Sequence, residues 1–137
     1  MLQQQLTHDS ANPDPKNGLY AFFNAIYADR RTSTLDYQIA AGIIHHGVGS
    51  SRPKDEFGFA VGTTQDNPNI TSVQILANAL GVGPGYVQRN EYEMEAMYGW
   101  QATSWLNLKF DAQYVVCPGG YSAPYDLMRS WTTVDFW

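Results

Sequence analysis

Residues 92–120 read YEMEAMYGWQATSWLNLKFDAQYVVCPGG, and this stretch holds two runs in which apolar and polar side chains alternate. The apolar positions carry even numbers and are Tyr92, Met94, Ala96, Tyr98 and Trp100, followed after a polar break by Leu106, Leu108, Phe110, Ala112, Tyr114 and Val116. Successive side chains of a strand point to opposite faces, so this period predicts two strands with one apolar and one polar face. Each run is longer than the roughly five or six residues of a soluble strand and long enough for a tilted strand to cross a bilayer. The stretch therefore predicts a transmembrane hairpin.

The composition agrees with a membrane barrel. The chain has 137 residues, which predicts one domain, and its net charge of −5 argues against a nucleic-acid partner. Charged residues make up 15% of the chain, against about 25% in average proteins, while aromatic residues reach 14%. No run approaches the roughly eighteen apolar residues that a membrane helix needs, so insertion would be by strands.

Alternation elsewhere predicts an all-β chain of about six antiparallel strands. The predicted strands are 18–28, Leu35–His46, 55–64, 91–100, 105–116 and 126–136. Residues 18–137 are expected to form part of a transmembrane β-barrel, and residues 1–17, which are polar and contain two prolines, to be a linker or severed loop. Within the long segment 65–88, residues 71–80 predict a short helix, either folded into the pore or packed on the base of its own loop.

The connections predict the orientation of the barrel. Bacterial barrels have short periplasmic turns and long external loops. The segment 65–88 would be external, and the segment 47–54 and the turn near residue 103 would be periplasmic. In both strands of the hairpin the apolar side chains have even residue numbers, so the residue numbers of two paired positions must add up to an even number. This favours a turn with an odd number of residues, such as 101–105, with Trp100 opposite Leu106. Lys109 would then lie opposite or diagonal to Glu95.

The polar face of the hairpin is the candidate functional surface. Its predicted pore-lining residues are Glu91, Glu93, Glu95, Lys109, Asp111 and Gln113. One interpretation is a hydrogen-bonding pore wall that passes polar solutes, and the other is a solvated sheet face with charge pairs. The pore wall is favoured, because a Lys or Arg on the lipid face would cost about 2–4 kcal/mol at the bilayer midplane.

Catalysis and metal binding are not expected from this sequence. His45 and His46 are adjacent, so a regular strand would direct them to opposite faces, away from a shared metal. The glycines at 81–85 do not join a strand to a helix and indicate a loop. Alternate glutamates on one strand lie about 6.6 Å apart, but nothing separates an acid from a base as glycoside hydrolysis requires. We therefore predict no enzyme, no catalytic residue, no cofactor and no metal.

Several segments resemble the carbohydrate-selective porins of the OprB type. The resemblance rests on Glu95 and Tyr98, the runs QATSWL at 101–106, DAQYV at 111–115 and PGG at 118–120, the terminal TTVDF at 132–136, and the earlier GLYAF at 18–22 and ADRR at 28–31. Membership implies an outer-membrane barrel of about sixteen strands in Gram-negative bacteria, through which sugars diffuse passively. It implies sugars and outer-membrane lipid as partners, and it is compatible with a homo-oligomer.

The resemblance covers only the C-terminal part of such a porin. The chain is therefore expected to be a fragment that needs further strands to close, because open sheet edges in lipid leave backbone groups unpaired. The N-terminus lacks the basic and apolar regions of a signal peptide, which conflicts with export. A soluble β-sandwich module that binds carbohydrate is the alternative, although its strands should be shorter.

Overall fold

The computed structural model describes residues 1–8, 14–49 and 51–122. Within them, the main element is one six-stranded antiparallel sheet with the strand order β1-β2-β3-β4-β6-β7. Its strands are β1 (Leu2–Gln5), β2 (Gly18–Tyr27), β3 (Leu35–His46), β4 (Glu56–Asp66), β6 (Asn90–Gln101) and β7 (Asn107–Val116). The other elements are helix α1 (Pro68–Ala79), a 3-10 turn at Pro118–Gly120, and the short strands β5 (Val87–Gln88) and β8 (Tyr121–Ser122), which pair with each other.

Five of the six predicted strands correspond to β2, β3, β4, β6 and β7, with limits that differ by two residues at most. The sixth, 126–136, lies outside the described residues. The structure differs from the prediction near the N-terminus, where Leu2–Gln5 forms β1 inside the segment expected to be a linker. Its three successive glutamines show no alternation of apolar and polar side chains from which a strand could be predicted. It is formed by pairing with β2, where Gln5 lies opposite Tyr20.

The strand pairing collects the predicted apolar side chains on one side of the sheet. Ile43 of β3 lies opposite Phe59 of β4, which in turn lies opposite Ala96 of β6. We call this side the apolar face. The opposite side is the polar face, and it includes Gln38, His46, Glu56, Thr64, Glu91, Glu93, Glu95, Gln101, Asn107, Lys109, Asp111 and Gln113.

The hairpin of β6 and β7 has the predicted parity but a different register. Gln101 lies opposite Asn107, so residues 102–106 form an odd-length turn and paired numbers have an even sum, as predicted. Trp100 faces Leu108, however, whereas the predicted partner was Leu106. The reason is local: the Leu106 N–H donates to Thr103 Oγ1 at 3.1 Å, which keeps Leu106 inside the turn.

The two ends of the sheet carry connections of different kinds. The turn end contains residues 47–55 and 102–106, together with the connection from β1 to β2. The loop end contains residues 28–34 and the long segment 67–89, which includes α1. No helix in the described part of the chain combines the length and apolarity needed to span a membrane.

Helix α1 confirms the predicted helix in the long segment. Asn67 is its N-cap and accepts from the Asn69 N–H at 3.0 Å, and Pro68 follows at the first helical position. The helix contacts the returning strand of its own loop, because the Thr71 hydroxyl donates to the Gln88 carbonyl at 2.7 Å. These contacts favour packing on the base of the loop over insertion into a pore.

Burial in this sheet is the reverse of that in a soluble domain. Among the described residues no apolar side chain is buried, and Val61 in the middle of the apolar face is 44% exposed. The side chains that are buried are polar, and they are Asn17, Asp36, Asp55 and Asn67. All four lie at strand ends or in connections, so the centre of the sheet has no apolar core of its own in this part of the chain.

Candidate functional site

The six predicted site residues all lie on the polar face of β6 and β7. Glu95 is opposite Gln113, and Asp111 is opposite Met97, which makes Glu95 and Asp111 diagonal neighbours of like charge. Glu91, Glu93 and Lys109 continue the same face in both directions along the two strands. The fold therefore brings the predicted set together as one strip that runs from the loop end to the turn end.

The predicted contact between Lys109 and Glu95 is wrong. Lys109 lies opposite Gly99, and its Nζ is 2.9 Å from Oε1 of Glu56, which belongs to β4 on the far side of β6. The predicted register placed Lys109 two residues away from its observed position on β6. The predicted partner was also on the adjacent strand, whereas Gly99 on β6 lets the side chains of Glu56 and Lys109 meet across that strand.

Sequence reasoning missed Glu56 and His46 as members of this surface. Glu56 is opposite His46 on β3, and His46 Nδ1 lies 3.4 Å from Glu56 Oε2. The ring of Tyr20 meets the His46 ring edge-on, with centroids 5.3 Å apart. The signal was available, because Glu56 and His46 both occupy polar positions of their predicted alternating runs.

Small residues on the polar face allow larger side chains to lie flat against the sheet. A Cβ added at Gly62 would be 3.0 Å from Cγ of Glu93, and one added at Gly58 would be 3.2 Å from Cε of Met97. These side chains therefore occupy the space above glycines on the neighbouring strand. Side chains of the polar face therefore lie along the surface of the sheet.

The turn end of the polar face borders a depression of about 420 Å³. Its lining residues are Asp14, Lys16, Asn17, Tyr20, His46, Gly47, Pro53, Lys54, Asp55 and Gln101. Asp55 is held by the Tyr98 hydroxyl at 2.8 Å and by the Gln101 N–H at 2.9 Å. This carboxylate joins the turn 47–55 to the end of β6.

The loop end carries a second depression, of about 430 Å³. Its lining residues are Arg30, Arg31, Thr32, Ser33, Thr34, Asn67, Asn69, Ile70, Val73 and Gln74. Arg30 forms a bidentate pair with Asp36, at 2.6 and 2.7 Å, and this pair raises the pKa of the Arg30 guanidinium. Asp36 is the extra residue at the register shift between Leu35 and Tyr37, and this shift takes it out of the regular alternation.

Carboxylates also organise the loop end of the strip. Glu91 accepts a short hydrogen bond from the Gly119 N–H, which ties β6 to the turn after β7. Oδ2 of Asp66 is buried without a hydrogen-bond partner among the residues that the structure describes. Over those same residues, no group of three or more His, Cys, Asp or Glu side chains is arranged to hold a metal ion.

Residues 1–130 match the carbohydrate-selective porin, OprB family. The chain belongs to this family. The polar face described above is therefore a surface of a porin-family sheet, and the predicted family is confirmed.

Relatives and a solved structure agree with this membership. Porin B of Pseudomonas aeruginosa is 32% identical over 127 residues, which is 88% of this chain and 28% of Porin B. The putative porin QuiX of Acinetobacter baylyi is 28% identical over 127 residues, covering 86% of this chain and 28% of QuiX. The high-pH structure of Pseudomonas putida OprB superposes with a TM-score of 0.79 at 34% identity, over 87% of this chain and 30% of that one.

These comparisons confirm the predicted antiparallel porin-type sheet and give no support to a soluble carbohydrate-binding sandwich. The family is one of porins, that is, of channels. The chain spans less than a third of the length of each of these relatives, so its strands correspond to one portion of their folds.

Proposed function

We propose that the chain forms part of the wall of an outer-membrane porin, with its apolar face toward lipid and its polar face toward a water-filled lumen. The observation that carries this proposal is the exposed apolar face, because Val61 is 44% exposed and no apolar side chain is buried among the described residues. A large contiguous apolar surface is rare on soluble monomers. In a transmembrane barrel it is the band that contacts lipid.

Carbohydrate is the proposed solute, and its movement is proposed to be passive diffusion. Sugar hydroxyls lose water when they enter a narrow pore, and a wall with many hydrogen-bonding side chains can replace those contacts. The residues assigned to this role are Glu91, Glu93, Glu95, Lys109, Asp111 and Gln113, with Glu56 and His46 added from the structure. No covalent step, cofactor or metal is needed for this function.

The connections support one orientation in the outer membrane of a Gram-negative cell. The segment 67–89 with α1 would face the exterior, and the turns 47–55 and 102–106 would face the periplasm, as short turns do in bacterial barrels. Trp100 lies beside the turn end of the apolar face, and Trp105 in the turn is 81% exposed. Aromatic rings at this depth fit the boundary between lipid and water.

A working pore also needs a closed sheet. In the described sheet, β1 and β7 are the outermost strands, each paired on one side only. Unpaired backbone groups are not tolerated in lipid, so we propose that further strands of the barrel pair with these two edges. Functional tests therefore use a chimeric barrel in which this chain replaces the 127 matched residues of Porin B.

The orientation of the two faces can be tested by cysteine labelling in that chimera. In a Cys117→Ser background, Glu93→Cys and Met94→Cys place a thiol on the polar and the apolar face at adjacent positions. A charged, membrane-impermeant maleimide should modify residue 93 several-fold faster than residue 94 in lipid vesicles, because the reactive thiolate is disfavoured in an apolar environment. Equal rates, or faster reaction at residue 94, would reject the proposed faces.

The solute class can be tested with the same vesicles. Vesicles that contain the chimera should swell when the external impermeant solute is exchanged for an isotonic neutral monosaccharide, and vesicles without protein should not. A chimera that assembles, conducts ions and yet excludes monosaccharides would contradict carbohydrate passage while preserving the barrel.

A further inference from the structure

Lys109 is the one Lys or Arg side chain on the polar face of the described strands, and it is surrounded by acids on that face. Asp111 is the next residue of β7 on the same side, and Glu95 is diagonal to Asp111. A lysine with 62% of its side chain exposed has enough freedom to reach either of two acidic neighbours. Which acid it binds decides where the unpaired negative charge lies, at the turn end beside Glu56 or in the middle of the strip at Asp111.

The structure places the Lys109 ammonium on Glu56, although these residues belong to strands separated by β6. Glu56, Gly99 and Lys109 occupy one row, each opposite the next. Strands two places apart are separated by about 9.6 Å, which is too far for contact unless a side chain crosses the strand between them. Glu56 crosses at Gly99, where an added Cβ would lie 2.6 Å from its Cγ.

The row of Glu56, Gly99 and Lys109 lies where the acidic strip ends, at the turn end of the sheet. The Glu56 side chain is only 20% exposed, and His46 lies on its other side, with Nδ1 3.4 Å from Oε2. Glu56 is therefore more confined than Lys109, whose side chain is 62% exposed. The pair holds the positive charge at the turn end of the polar face, away from Asp111.

We propose that Glu56 is a positioning residue for charge selectivity: lying over Gly99, it holds the Lys109 ammonium at the turn end and so leaves Asp111 and Glu95, in the middle of the strip, without a counter-cation among the described residues. The uncompensated carboxylates favour cationic and neutral solutes, including amino sugars, over anionic sugars such as uronates. This inference rests on the proposed porin function.

The main test is a substitution that changes no formal charge. In the Porin B chimera, Gly99→Ala places a methyl carbon 2.6 Å from Cγ of Glu56, closer than two non-bonded carbons can approach, so the Glu56 side chain must shift away and Lys109 is released toward Asp111. The permeability ratio of K⁺ to Cl⁻, taken from the reversal potential across a planar bilayer with a KCl gradient, should fall about twofold, an effect of the size expected for a half-exposed ion pair. Low salt limits the screening of the ion pair, and all variants are compared at one pH.

A matched control is available on the same face. Gly58→Ala also adds a methyl group to the polar face, but the atom it meets is the flexible end of Met97, at 3.2 Å. This variant should leave the permeability ratio unchanged. An equal shift in both variants would overturn the proposal, because the effect would then come from the added volume alone.

Lys109 is tested by a second substitution. Lys109→Gln removes the cation that Gly99→Ala would release, so Gly99→Ala should have no effect on selectivity in the Lys109→Gln background. A shift that persists there would overturn the proposal. Should Gly99→Ala not assemble, Glu56→Gln releases the same ammonium and should also lower the ratio.

Sugar transport gives an independent readout. The ratio of glucosamine entry to glucuronate entry, measured by vesicle swelling, should be about twofold lower in Gly99→Ala than in the parent chimera. Failure of the inference and failure of the porin function are distinguishable. A parent chimera that does not conduct rejects the porin wall, whereas a conducting parent whose selectivity is the same in Gly99→Ala rejects only the role of Glu56.

Discussion

The middle of the sheet and its two ends are stabilised in different ways. In the middle, strands are joined by long backbone ladders while side chains such as Phe59 and Val61 remain about two-fifths exposed, at 41% and 44%. At the ends, polar side chains are buried, with Asp55 2% and Asn67 3% exposed. Polar burial thus occurs where the backbone turns and needs hydrogen-bond partners, and apolar surface is left for the surroundings to cover.

The two ends of the sheet also differ in the buried side chain that hydrogen-bonds to their connecting segments. At the loop end the neutral amide of Asn67 caps α1 and donates to the carbonyls of Arg30 and Ser33 at 2.7 and 2.8 Å. At the turn end the acceptor is the Asp55 carboxylate, which receives the Tyr98 hydroxyl. Perturbing the middle, the loop end and the turn end should therefore give three different results.

The largest effect is expected in the middle of the apolar face. Val61→Arg in the chimera should lower the free energy of unfolding by about 2–4 kcal/mol, because the charge would lie near the bilayer midplane. Urea unfolding from lipid vesicles, followed by tryptophan fluorescence, measures this change.

The matched control is the neighbouring residue on the other face. Ala60→Arg projects toward Glu95, its partner on β6, and should change the free energy of unfolding by less than about 1 kcal/mol. Equal losses for the two variants, or a larger loss for Ala60→Arg, would mean that the polar and apolar faces are not divided between lumen and lipid.

A smaller effect is expected at the loop end. Asn67→Ala removes the N-cap acceptor of α1 and two donated hydrogen bonds, and the cap by itself is worth about 1 kcal/mol. The loss should be local, so hydrogen exchange of the α1 amides should accelerate while exchange in β6 stays unchanged. Asn67→Ser keeps a capping oxygen and should recover part of the protection. Protection that is unaffected in Asn67→Ala would show that the helix is held by other contacts.

The sequence predicted the strands far better than the ends. Alternation is a local property, so β3 was predicted with its observed limits and the polar strip of β6 and β7 with its members. The contacts at the ends join residues far apart in sequence: Asp55 and Gln101 are separated by 46 positions, and Asn67 and Arg30 by 37. No local pattern identifies such partners.

The incorrect prediction of the Lys109 contact also has a cause that no local pattern shows. Its pairing depends on the register of the hairpin, which the Thr103 hydroxyl shifts by two residues, and on the space above Gly99. The alternation limited the hairpin to registers in which paired residue numbers add up to an even number, but the contacts within the turn determine which of these registers forms. The membership of the site was therefore predictable, and its charge pairing was not.

The turn end gives the remaining prediction, which concerns pH. Burial by itself raises the pKa of the Asp55 carboxyl, but the Gln101 N–H, the Tyr98 hydroxyl and the Arg52 guanidinium act in the other direction. Together they hold the pKa of Asp55 below its ordinary value of 3.8. The folded state therefore favours the charged carboxylate, and its stabilisation depends on that charge.

Asp55→Asn should lower the thermal midpoint of the chimera by a few degrees at pH 7, less than the changes above, because the amide oxygen can still accept from the Gln101 N–H. A carboxyl with a lowered folded-state pKa contributes fully above its unfolded value of about 3.9 and loses that contribution as the pH falls through the folded-state value. The difference between parent and variant should therefore be constant from about pH 7 to 5 and should decrease progressively below about pH 4, as followed by circular dichroism in detergent. Tyr98→Phe, which keeps the charge, should show a smaller difference at pH 7. A difference for Asp55→Asn that does not decrease at any pH down to acid unfolding would assign the stabilisation to the shape of the side chain and not to its charge.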